Sequence, residues 1–247
     1  MFYKVKESNL ENPWVNLPIT APYILPEDEA ILQEYKNCLH GKQKIQCELL
    51  PVPVFGCPET ADIFVLNANP GFSESNREQH KEIAFVQPYR NSLTHKATRH
   101  PYLDPTFQSK HGGKVQSGND YWMSIFSDLI GMCGIETIAS KCMVVNFFPY
   151  HSENYPESVK NRLPSQDYSF HLVRQAILDH KEIVVLRRME SKRKDKLTWG
   201  SEVPELRGKC VVHPYPAFRP RLLRGWIPEH FDRLVERICG SDKQERS

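Results

Sequence analysis

Asp62-Ile63-Phe64-Val65-Leu66, running straight into Asn67-Ala68-Asn69-Pro70-Gly71-Phe72-Ser73, is the stretch on which the fold turns. Its apolar run is too short for a helix and stops at an Asn-Pro-Gly turn signal, so it reads as a strand buried on both faces. Three more runs of the same kind follow: Cys142–Asn146 (CMVVN), Glu182–Leu186 (EIVVL) and Lys209–His213 (KCVVH). Helical patterns lie between and after them. Glu27–Leu39 has Pro26 before it and Gly41 after it; Tyr121–Met132 follows Asn119 as N-cap; Ser165 leads Tyr168–His180; and Pro228 opens Glu229–Cys239. Strands alternating with helices predict an α/β fold, a three-layer αβα sandwich around a central, mainly parallel four-stranded sheet. Such sheets place their sites beyond the carboxyl ends of the strands.

The rest of the chain is consistent with one such domain. It has 247 residues, 40% of them hydrophobic and 25% charged, enough for a sizeable core and too ordinary for a fibrous or disordered chain. Residues 1–59, with Pro13, Pro18, Pro22 and Pro26, read as an N-terminal arm and helix packing on a core at 60–240; 241–247 is a polar tail. The stretch 91–119, which carries His95, Lys96, Arg99, His100, Lys110, His111 and Lys114, reads as a basic insertion. The net charge of +2 is far below that of a histone-like binder, so any contact with nucleic acid must rest on a local patch. Met1–Asn9 lacks the apolar core of a secretory leader, and Asp128 and Glu136 interrupt the longest apolar stretch, so no membrane partner is expected. The seven cysteines show no CxxC spacing and predict reduced thiols, a cytoplasmic chain and no metal or iron–sulfur site.

Three of the four strands end in a neutral polar residue followed closely by proline: Asn67-Ala68-Asn69-Pro70, Asn146-Phe147-Phe148-Pro149 and His213-Pro214-Tyr215-Pro216. Proline stops strands anyway, and any one of these segments reads equally well as a turn. Together, in this order, they resemble the uracil-DNA glycosylase superfamily. Asn67-Ala68-Asn69-Pro70-Gly71 is similar to its water-activating loop and His213-Pro214-Tyr215-Pro216 to its second motif; Asn146 matches its base-reading asparagine, and Phe85 its stacking aromatic. Asn67 stands where the family usually has glycine, and Ala217 where many members have a leucine wedge.

The resemblance implies a cofactor-free, monomeric DNA glycosylase that flips out a pyrimidine and hydrolyses its N-glycosidic bond. Asn69 would hold the water and His213 would donate to the base's 2-oxygen as charge builds there. Asn67, Gly71, Phe72, Phe85 and Asn146 would surround the base, while Phe218, Arg219, Arg221 and Arg224 would meet DNA. Gly71 replaces a tyrosine that blocks the pyrimidine 5-position in uracil-restricted relatives, so uracil, a mismatched base or a modified cytosine is an expected substrate, in repair or antiviral defence. No lysine lies in the strand-end motifs, which disfavours lyase chemistry. The competing expectation is a nucleic-acid-binding module of the same fold with weak or no catalysis, since Asn69 brings no carboxylate. A nucleosidase on another α/β fold would want an acidic or phosphate-cradling cluster after the first strand, where this chain has Asn-Pro-Gly.

Overall fold

The computed structural model describes residues 10–105, 116–157, 160–191, 193, 195–212, 222, 224 and 228–244. It is a mixed α/β structure. Five described strands, β1 (Val54–Phe55), β2 (Ile63–Asn67), β3 (Cys142–Asn146), β4 (Glu182–Val185) and β5 (Val211–Val212), form one sheet in the order β1-β3-β2-β4-β5. The β3-β2-β4-β5 pairs are parallel, and β1 runs antiparallel along the outer edge of β3.

The expected four strands are therefore present, and a fifth is added. Val54–Phe55 escapes a sequence reading because it is two residues long and follows Pro51 and Pro53. Proline cannot donate to a ladder and is tolerated at an edge, where β1 lies. The inner strands β2 and β3 are buried throughout, as uninterrupted apolar runs of a parallel sheet require. Their register sets Ile63 opposite Cys142 and Asn67 opposite Asn146, so both strands end level.

The helices are α1 (Glu29–Cys38), α2 (Glu74–Gln79), α3 (Ile83–Leu93), α4 (Gln116–Cys133), α5 (Ile135–Lys141), α6 (Gln166–Leu178), α7 (Trp199–Glu202) and α8 (Pro228–Gln244). Helix α4 begins three residues before Asn119, so that residue lies inside the first turn and does not cap it. Within the N-terminal segment Asn12 caps a short 3-10 turn through Trp14, and Trp14, Leu17 and Leu25 are buried in the common core.

The expected insertion is only partly an insertion. Helix α3 runs into it, and the 3-10 turn Pro101–Leu103 is buried, with His100 donating its backbone N–H to Ala139. Its histidines and lysines give it the composition of a surface loop, but Tyr102, Leu103 and His100 face the core. A second correction concerns the thiols: Cys133 at the end of α4 and Cys239 on α8 form a disulfide across 106 residues of chain, with Cα atoms 6.2 Å apart. Spacing alone cannot reveal a pair that only the docking of two helices brings together. Cys38, Cys47, Cys57, Cys142 and Cys210 are free thiols. Among the described residues no single helix is long and apolar enough to cross a membrane.

Candidate active site

The level ends of β2 and β3 build the site. Past Asn67 the ladder continues: Phe147 N–H donates to the Asn67 carbonyl at 2.9 Å and Phe148 N–H to that of Ala68 at 2.8 Å. The Trp199 indole N–H adds a bond of 3.2 Å to the Asn67 carbonyl, so the loop leaves a rigid base. Gly71 then takes φ +73°, a left-handed conformation that glycine adopts without steric cost. Among the described residues a β-carbon there would meet nothing within 4 Å. Beyond it Ser73 and Asn76 form a capping box that starts α2, with Ser73 N–H donating to Asn76 Oδ1 at 2.7 Å.

This loop lines one side of a cavity of about 490 Å³. Asn67, Asn69, Gly71 and Phe72 all line it, and so do six aromatic residues, Phe55, Tyr89, Tyr102, Tyr121, Trp122 and Tyr155. Tyr89 and Tyr102 share a hydrogen bond between their hydroxyls. Burial pushes the Tyr102 phenol up to about 12 and that of Tyr89 well above its ordinary value, so both stay neutral. Two charged side chains are among the described lining residues, Arg187 and Glu153. Arg187 hydrogen-bonds the Tyr121 hydroxyl, and Glu153 pairs with Lys42 at 2.6 Å.

The amide of Asn69 is oriented by its neighbours. Its Nδ2 donates to the Ser152 carbonyl at 2.9 Å and to Ser152 Oγ at 3.1 Å. A carbonyl can only accept, so the NH2 end must face Ser152 and Oδ1 is the end left over. Among the described residues Oδ1 has no partner. That leaves an acceptor, suited to a water proton, half-buried at the edge of an aromatic cavity.

His151 supports the same loop. Its Nδ1–H donates to the Gly71 carbonyl at 2.7 Å. Burial, with nearby His80 as a smaller contribution, lowers its pKa to about 3, so the imidazole is neutral across the physiological range. Its hydrogen bond to a loop eighty residues earlier is a tertiary fact that the sequence does not disclose.

Two expected base contacts are not brought to the cavity. Phe85 is 1% exposed on α3 and packs against Tyr89 with ring centroids 4.8 Å apart. One turn further along, Tyr89 is the α3 aromatic that reaches the cavity, with Phe85 as its prop. Asn146 is fully buried behind the loop: its Nδ2 donates to the Val52 carbonyl at 2.8 Å and its Oδ1 accepts from Asn67 Nδ2 at 3.0 Å. Phe72 does line the cavity, with the Arg77 guanidinium 5.1 Å from its ring centre.

His213, Phe218, Arg219 and Arg221 lie outside the described residues; β5 is described as far as Val212. Arg224 is described and exposed, its guanidinium paired with Asp232 at 3.2 Å and its backbone N–H bonded to Asp128 at 3.1 Å.

No family model, curated protein or solved structure matches the chain.

The site therefore stands on its own geometry. Among the described residues no group of three or more His, Cys, Asp or Glu side chains could hold a metal ion. What the arrangement offers is an acceptor at Asn69 Oδ1 without a partner among the described residues, in a loop held by His151 and beside a cavity lined by aromatic residues. Phe55, Tyr89, Tyr102, Tyr121, Trp122, Tyr155 and His151 are lining residues that sequence reasoning missed. For the six aromatics the signal was faint, an aromatic-rich composition in segments with no strand-end motif.

Proposed function

We propose that this chain is a monofunctional DNA glycosylase acting on a pyrimidine flipped out of the stack. The observation that carries this is the orientation of Asn69. The Ser152 carbonyl commits its NH2 end, leaving Oδ1 to accept a proton of a water beside a cavity at the strand ends. In the reaction the glycosidic bond breaks with its electron pair passing to the base nitrogen, and the sugar becomes an oxocarbenium-like cation. The oxygen of the held water bonds to the anomeric carbon, and its proton is released. An amide is a poor base, but a cationic sugar is electrophilic enough for positioning to matter more than basicity. His213 has the assigned role of donating to the base's 2-oxygen.

A cavity of about 490 Å³ falls within the range of drug-sized ligand sites, which supports an expanded pyrimidine as well as uracil. The absence of any described atom within 4 Å of the Gly71 β-carbon position supports an open 5-position. We therefore favour uracil, a mismatched base or a 5-modified cytosine as substrate, in repair or in defence against modified DNA. With this reading goes the three-layer αβα arrangement expected of the family, its sheet in the middle.

The test is base release from single- and double-stranded oligonucleotides carrying uracil, a G·T mismatch, 5-hydroxymethylcytosine or its glucosylated form, with hot alkali revealing abasic sites. Asn69→Ala should abolish release while DNA affinity changes little. Full activity in that variant removes the mechanism. Binding to DNA without release from any substrate by the parent chain would favour the binding module.

A further inference from the structure

Four amide and carbonyl groups lie in one hydrogen-bonded line at the ends of β2 and β3, and its polarity is fixed from one end. The Val52 carbonyl can only accept, so Asn146 must turn its NH2 toward it, at 2.8 Å. The Asn146 Oδ1 is then the acceptor offered to Asn67, whose Nδ2 donates to it at 3.0 Å. The second Nδ2 proton of Asn67 goes to the Asn69 backbone carbonyl, also at 3.0 Å and also accept-only. Both donors of Asn67 are therefore spent. Its Oδ1 has no partner among the described residues, although Asn67 is 4% exposed and lines the cavity. Flipping the Asn67 amide would set its oxygen against two acceptors at hydrogen-bond distance, at the cost of two buried bonds.

We infer that Asn67, and not Asn146, reads the edge of the bound base, and that it does so as an acceptor only. The ligand must then present an N–H donor: N3–H of a uracil-type ring or the exocyclic N4–H2 of a cytosine-type ring. Asn146 is the positioning residue, since it touches Asn67 and holds its polarity. This inference rests on the glycosylase reading and sharpens it. An amide free to rotate accepts either base edge, whereas a locked one rejects any base whose donor has been removed. Sites built to pair a polar group discriminate far more strongly against its loss than apolar walls do against size.

The experiment uses the full chain and four oligonucleotide probes: uracil, N3-methyluracil, 5-hydroxymethylcytosine and its N4,N4-dimethyl derivative. For whichever pair contains a substrate, the parent should prefer the N–H form by about 100-fold or more in kcat/KM. The uracil and cytosine pairs distinguish which donor is used. Asn67→Ala should bring the ratio within the pair close to unity. Asn146→Leu, which leaves Asn67 in place but removes its orienting acceptor together with the bond to the Val52 carbonyl, should reduce the ratio to an intermediate value; a merely structural loss would lower both rates and leave the ratio alone. Independently of catalysis, NMR should find both Asn67 side-chain amide protons protected from exchange in the parent, and the one bonded to Asn146 should lose that protection in Asn146→Leu.

Equal release of the N–H and methylated forms by the parent, or an unchanged ratio in Asn67→Ala, overturns the inference while leaving the glycosylase reading intact. Rapid exchange of the Asn67 amide in the parent overturns the locked polarity directly. No release from any oligonucleotide takes down both.

Discussion

Two imidazoles in the core make the protein acid-sensitive, by an amount that follows from their burial. His100 is fully buried among Phe55, Tyr102 and Trp122, and neither ring nitrogen has a hydrogen-bond partner in the described structure. Burial lowers its pKa from the ordinary 6.5 to about 3, as it does for His151. A folded-state pKa below the unfolded one means that the unfolded chain binds the proton first. The stability these groups support is therefore complete above about pH 6.5 and is lost progressively as the pH falls toward 3. pH 5 lies roughly 1.5 units below the unfolded pKa and above the folded one, so at about 1.36 kcal/mol per unit each imidazole costs about 2 kcal/mol there, or about 4 kcal/mol for the pair. Burial also lowers His80 and His95, which add in the same direction. Asp28 opposes them: burial raises its pKa, so its contribution improves on acidification.

Urea unfolding at pH 7 and pH 5 measures the loss directly. His100→Leu removes one titrating ring and no hydrogen bond of that ring, so the difference between the two pH values should shrink by about 2 kcal/mol. Since a domain of this kind is marginally stable, the parent should be close to unfolding at pH 5. An unchanged pH dependence in His100→Leu, or an NMR titration placing the folded His100 near 6.5, would refute the reasoning.

Two further predictions concern the cavity wall and the crosslink. A β-carbon on Gly118 would sit 2.4 Å from the Tyr102 ring, so Gly118→Ala must displace that ring by about 1 Å to reach ordinary contact. Release of bulky 5-substituted bases should fall about 10-fold relative to uracil, and an unchanged ratio would show that Tyr102 does not limit pocket size. The Cys133–Cys239 bridge closes a long loop, so reduction or Cys239→Ser should destabilise the fold by about 2–4 kcal/mol. A non-reducing peptide map lacking the linked peptides would remove the bridge itself.

What the sequence disclosed follows from the physics of parallel sheets. Their strands are buried on both faces and read as continuous apolar runs, so β2, β3 and β4 were legible, as was the rule sending the search to their carboxyl ends. That rule found the Asn67–Ser73 loop, which does line the cavity. The limit came where an element owes its existence to a partner. β1 is two residues held by the edge of β3, and Tyr102 belongs to a basic, proline-flanked segment buried only by neighbours distant in sequence.

Asn146 marks the sharper boundary between position and role. Its place at the end of β3 was readable from the Val-Val run before it, but its task depends on which atom the Val52 carbonyl claims. That carbonyl belongs to the Pro-rich approach to β1, the strand the sequence concealed. The missed strand and the burial of the Asn146 side chain thus have one origin. Once β1 docks antiparallel on β3, Pro53 takes the Asn146 backbone N–H at 2.8 Å and Val52 takes its side chain. The amide is consumed in the wall, and the free acceptor moves one strand inward to Asn67.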